Sequence, residues 1–182
     1  MFYCILFSVF LFFIVTTSLK ADANQPASGG WAATYGGHNH DWAESIHETS
    51  DGGYIVAGGT HSLDKGDADI WVLKLRPDGS VEWQKSYGGT GYDSAHSIHE
   101  TSDGGYIVTS ETNSFGAGDD DLCVLKLRLD GSVELQKTYG DISDDSAFST
   151  HETRDGGYIV AGGTESFGAG RYDFWVLKLR PD

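Results

Sequence analysis

The chain has 182 residues, 25 of them glycine, and a formal net charge of −15. That length is enough for one domain with a core of its own. A surface this acidic repels phosphate backbones and anionic lipid, which argues against a nucleic-acid partner.

The first segment, Met1 to Ser18, carries no charge and is mostly apolar. Ala21-Asp22-Ala23 then supplies small residues at the two positions a signal peptidase reads. Residues 1–23 therefore read as an export signal, which implies a secreted, periplasmic or cell-surface location. An uncleaved membrane anchor is the alternative, because about 18 apolar residues approach the length of a span. Only that case brings the chain into contact with a membrane. Cutting after residue 23 removes Lys20 and Asp22 together, so the charge stays at −15. Cys4 goes with the signal, and Cys123 alone cannot form an internal disulfide. Residues 24–30 read as a linker.

Residues 31–182 are built on one repeat. The phrase "TSDGGYIV" stands at 49–56, recurs at 101–108, and returns as "TRDGGYIV" at 153–160. Asp51, Asp103 and Asp155 are each 52 residues apart, and the same interval separates Tyr35, Tyr87 and Tyr139. The repeats lie near 31–82, 83–134 and 135–182. A fixed period of about 50 marks stacked or radial units.

Each repeat divides into four short strands separated by turn signals, which predicts an all-β fold. In the first repeat they fall near Ala43–Thr49, Tyr54–Gly58, Asp69–Arg76 and Val81–Tyr87. Asp-Gly-Gly between the first two supplies the positive φ of a tight hairpin. Pro77-Asp78-Gly79 does the same between the last two, although Leu129 replaces the proline in the second repeat. The third strand is apolar on both faces, with Trp71, Leu73 and Leu75 on one and Ile70 and Val72 on the other. Both faces should therefore be covered. Cys123 holds the place of Trp71 and Trp175 and reads as a core residue.

The pattern running from "DGGYIVAGGT" through "SFGAG" to "DFWVLKLRPDG" resembles the β-propeller repeats of exported and cell-surface bacterial and archaeal proteins. The resemblance implies three tandem four-stranded antiparallel blades and carries no catalytic motif. Propellers have four to eight blades, so three repeats imply a partial or oligomer-completed ring, or a fragment of a longer propeller. A β-trefoil is the alternative by repeat count. The opening "WAATYGG" matches the fourth strand, "WQKSYGG", and the chain stops at a third strand. The N-terminal strand is therefore expected to complete the last blade. The two end blades are expected to leave bare faces, at Trp71, Leu73 and Leu75 or at Trp175, Leu177 and Leu179, and so to self-associate.

The two turns just described hardly vary between repeats, whereas the loops at the opposite end do. Loops on a rigid frame commonly carry binding residues. The candidates there are His38, His40, Trp42, His61, Asp64, Tyr92, His96, Arg171 and Tyr172. Aromatic rings with imidazoles and carboxylates suit a sugar or a polar peptide, so the expected partner is a glycan or protein.

No nucleophile elbow, phosphate loop or metalloprotease helix is present. A non-catalytic binding module is the leading expectation. A structural assembly unit and a glycan-active or quinone-dependent enzyme are the alternatives. No metal or other cofactor is expected. Calcium is the cation that Asp67, Asp69, Asp119, Asp120 and Asp121 would suit, but they lack the spacing of a dedicated calcium loop. His47, His99 and His151 recur once per repeat. Duplication explains that recurrence, and an open arc is expected to hold the three apart.

Overall fold

The structure is a computed structural model and describes residues 29–63 and 66–180. The export-signal reading of 1–23, most of the linker and the candidate Asp64 lie outside the described residues. Every regular element within them is a strand. The first sheet comprises β1 (Asp41–Glu48), β2 (Tyr54–Thr60), β3 (Asp69–Leu75) and β4 (Val81–Tyr87). The second comprises β5 (Asp93–Glu100), β6 (Tyr106–Thr112), β7 (Asp121–Leu127) and β8 (Val133–Tyr139). The third holds β9 (Asp145–Glu152), β10 (Tyr158–Thr164) and β11 (Asp173–Leu179). Strands pair antiparallel in chain order within each sheet, and no sheet closes into a barrel.

The strand positions follow the sequence reading to within two residues: β1 starts at Asp41 rather than Ala43, and β2 runs on past Gly58 through Gly59 to Thr60. A Cβ on Gly58 would sit 2.0 Å from the Trp42 carbonyl oxygen, and one on Gly59 would sit 2.2 Å from the Trp42 ring. The glycines are there for close approach, not for a turn.

The repeated phrase is a clasp. Asp51 Oδ1 accepts from the Gly53 amide at 2.9 Å and from Thr49 Oγ1 at 2.6 Å. The buried ammonium of Lys74, on β3, donates to the same carboxylate at 2.8 Å. Asp103 with Lys126 and Asp155 with Lys178 repeat the arrangement. Lys74 holds the Asp51 carboxyl well below the usual range, helped by Thr49 and the Gly53 amide. Burial alone would raise Asp103, but Lys126, Thr101 and the Gly105 amide outweigh it and bring its pKa down to about 2.

Sheets pack face to face. Ile55, Ala57, Ile70 and Val72 of the first sheet meet Ile98, Tyr106, Val108, Cys123, Leu125 and Leu127 of the second. Cys123 is buried as expected, and burial pushes its thiol up to about 12. Ile107, Leu122 and Val124 continue to the third sheet, meeting Ala147, Tyr158, Val160, Trp175, Leu177 and Leu179. Serine–glutamate pairs add to the packing. Ser50 donates through its amide and hydroxyl to Glu100, and Ser102 does the same to Glu152.

The chain ends differ from the sequence expectation. Trp71, Leu73 and Leu75 are not bare. They are buried in a cluster with Tyr35, Tyr54 and Val81. Trp175, Leu177 and Leu179 point inward to the second sheet. Alternation along β11 instead leaves Phe174 84% and Val176 51% exposed on the third sheet's outer face. The segment Trp31–Gly37 does not complete the third sheet within the chain. It joins no sheet and lies against the first, with Tyr35 Oη donating to the Gly79 carbonyl at 2.5 Å.

The expectation for the repeated histidines is overturned as well. His47 and His99 stand with ring centroids 5.0 Å apart, and His99 and His151 stand 5.9 Å apart. The first strands of the three sheets run side by side, which stacks these imidazoles into a column.

Candidate functional site

The variable loops are fixed at their base by another repeated cluster. Asp41 accepts from the Gly37 amide at 2.8 Å, from Ser62 Oγ at 2.9 Å and from Thr60 Oγ1. Asp93 collects the Gly89 amide, Thr112 and Ser114 in the same way. The segment before each first strand is thereby tied to the segment after each second strand. Asn39 adds to this in the first repeat, donating to the His61 carbonyl at 2.9 Å.

On that base four candidates converge. His40 lies 5.2 Å from Trp42 and 6.2 Å from His61 between ring centroids. Trp42 lies 5.5 Å from His61 and stacks on Tyr92 at 6.3 Å with 16° between the planes. Trp42 comes from β1. Tyr92 comes from the loop entering the second sheet, seated by the Asp93 amide donating to the Ala68 carbonyl at 2.8 Å. Trp42, His61 and Tyr92 are half-buried, and His40 is exposed.

Protonation is partly set by the neighbours. His61 Nδ1 contacts the Asp67 carbonyl, which can only accept. Nδ1 therefore carries a hydrogen, and in the neutral tautomer this leaves Nε2 as the acceptor. Burial raises the Tyr92 phenol above its ordinary value, and Glu111, Asp120 and Glu44 raise it further against a Ser94 hydrogen bond. It remains a neutral donor near pH 7.

The other candidates fall elsewhere. His38 is exposed, two residues before His40 and outside the four-ring group. His96 belongs to a second group, with Nε2 3.3 Å from Glu111 Oε2 and its ring edge-on to Phe148 at 6.0 Å. It occupies a β-bulge between Ala95 and Ser97, where Glu44 and Phe148 stand in the other first strands. A bulge re-aims the side chain it carries. Arg171 and Tyr172 lie exposed on the third sheet's loop, and a Cβ on Gly163 would sit 2.2 Å from the Tyr172 ring.

Sequence reasoning missed Glu111, Phe148 and Gly59. A signal for the first existed, because Glu111 stands where the other repeats have Gly59 and Gly163. Among the described residues no three His, Cys, Asp or Glu side chains are grouped as a metal ion requires. Asp121 and Asp173 close their loops, accepting from the Ala117 amide at 2.7 Å and the Ala169 amide at 2.9 Å.

The chain matches no protein-family model and no curated protein.

Proposed function

We propose that this chain is an exported, non-catalytic β-propeller-type module that binds a glycan at the loop end carrying His40, Trp42, His61 and Tyr92. The observation that carries the reading is the convergence of these four rings from two repeats. Trp42 lies within 5.5 Å of His61 and within 6.3 Å of Tyr92. A half-buried indole offers an apolar face to the C–H side of a sugar ring, while its surroundings stay wet. The Nε2 of His61 is placed to accept from a hydroxyl, and the Tyr92 phenol to donate to one. With a net charge of −15 the favoured glycan is neutral or cationic.

The blade reading has its own support. Consecutive strands stay together in separate sheets, whereas a trefoil would share them in one barrel. The stacked histidine column along the first strands is what an inner rim of blades would show.

The test is a glycan array probed with the purified protein, followed by titration calorimetry on any hit. Trp42→Ala and His61→Ala are expected to lose binding while the thermal unfolding profile stays close to wild type. A blank array, or full binding by Trp42→Ala, would overturn the reading.

A further inference from the structure

The internal junction between the first and second sheets has a recognisable set of contacts. β4 lies on the second sheet, with Tyr87 Oη donating to the Gly131 carbonyl at 2.7 Å and Trp83 edge-on to Tyr106 at 5.9 Å. Ile70 and Val72 fill the space beneath. Ser50 caps one end by binding Glu100.

Half of that set recurs, without a partner sheet among the described residues, at each end of the stack of sheets. At the start, Tyr35 Oη binds the Gly79 carbonyl at 2.5 Å and Trp31 stands edge-on to Tyr54 at 5.9 Å. Trp31–Tyr35 thus lies on the first sheet as β4 lies on the second, yet its backbone joins no sheet. At the other end β11 is an edge strand. Phe174 and Val176, the counterparts of the buried Ile70 and Val72, are exposed. A cleft of about 370 Å³ opens between Leu135, Lys137 and Tyr139 of β8 and Lys178, Leu179 and Arg180. That is the space beside β8 where a fourth strand of the third sheet would run.

Charge supplies an independent pointer. Ser50 pairs with Glu100 and Ser102 pairs with Glu152, 50 residues on in each case. The third phrase replaces that serine by Arg154, which is exposed. The glutamate in register for it is Glu48, at the end of β1 and also exposed. The only change in the repeated phrase therefore puts a cation where the matching anion sits at the opposite end of the chain.

We propose that two copies of this chain close on each other, each completing the other's third sheet. Residues 31–35 of one copy pair antiparallel with β11 of the other. Phe174 and Val176 pack towards the other copy's Tyr54 and Trp71, and Arg154 pairs with its Glu48. The register follows from the internal pairs Val72–Lys85 and Val124–Lys137, and it sets Val176 opposite Ala33. A head-to-tail contact of this kind closes only when the rotation fits. Two copies of the three described sheets would give six, within the four to eight blades that propellers hold. Each copy carries −15, so added salt is expected to strengthen the association.

The experiment uses protein purified from cells expressing the complete reading frame. Light scattering at micromolar concentration is expected to give twice the monomer mass. Arg154→Glu is expected to shift it to monomer, and Glu48→Arg added to Arg154→Glu is expected to restore the dimer. Both positions are exposed, and far-UV circular dichroism checks that each variant folds. In a second arm, Ala33→Cys with Val176→Cys is expected to give a disulfide-linked dimer, while Ala32→Cys with Val176→Cys gives none. A monomeric wild type overturns the proposal. So does a ladder of higher multiples, a charge swap that fails to restore the dimer, or equal cross-linking by both cysteine pairs.

Discussion

The imidazole of His99 stands 5.0 Å from that of His47, with His151 5.9 Å away on its other side. Burial lowers the His99 pKa below the ordinary 6.5, and the two flanking imidazoles lower it further. Between the folded and unfolded pKa values the unfolded chain therefore binds more protons. Stability is intact above about 6.5 and falls as the pH drops below it. Calorimetry at pH 7.5 and pH 5 should show a lower melting temperature at the acid value. His99→Gln should flatten that difference. An acid shift of the same size in wild type and variant contradicts the assignment.

A second acid step comes from the turn aspartates. The Asp51, Asp103 and Asp155 carboxyls are all held below 3.8, so the stability they provide is present above that value. It is lost as the pH falls through the folded pKa, about 2 for Asp103. Asp103→Ala should cost about 1–3 kcal/mol at neutral pH, because Lys126 keeps only Thr101 and the Leu127 carbonyl. The loss stays below that of a fully buried ion pair because the Asp103 side chain is half exposed. Urea unfolding of wild type and variant measures it directly.

Two adjacent glycines should behave differently. A Cβ at position 58 meets the Trp42 carbonyl, part of a backbone that cannot move without breaking the β1–β2 pairing. Gly58→Ala should therefore lower the melting temperature markedly. A Cβ at position 59 meets the half-exposed Trp42 ring, which can swing away. Gly59→Ala should leave the melting temperature near wild type, alter the near-UV circular dichroism, and weaken glycan binding. Equal destabilisation by both substitutions would show that the ring is not free to yield.

Export rests on the charge-free run from Met1 to Ser18 and on Ala21-Asp22-Ala23. N-terminal sequencing of the protein from the extracellular or periplasmic fraction should begin near Asn24. Intact protein starting at Met1 in the cytosol would refute it, and the same species in the membrane would establish the anchor.

The sequence alone determined the strand order and the turns, though not the bulges in the first strands. Alternation, the Asp-Gly turns and the constant 52-residue step placed each strand within about two residues, because a positive φ and a two-residue side-chain period are local demands. It also pointed to the loop end that varies and named nine candidates there, of which, among the described residues, only His40, Trp42, His61 and Tyr92 lie together. The tertiary structure decided what depends on which sheet lies next to which. It turned Trp175 inward and Phe174 outward, since alternation assigns opposite faces but cannot say which face has a neighbour. It brought His47, His99 and His151 into one column, because residues 52 apart become adjacent only when whole sheets stack in register. It laid Tyr35 on Gly79 of its own first sheet instead of beside β11, because Tyr35 lies close in sequence to β1 and β11 belongs to the far end of the stack.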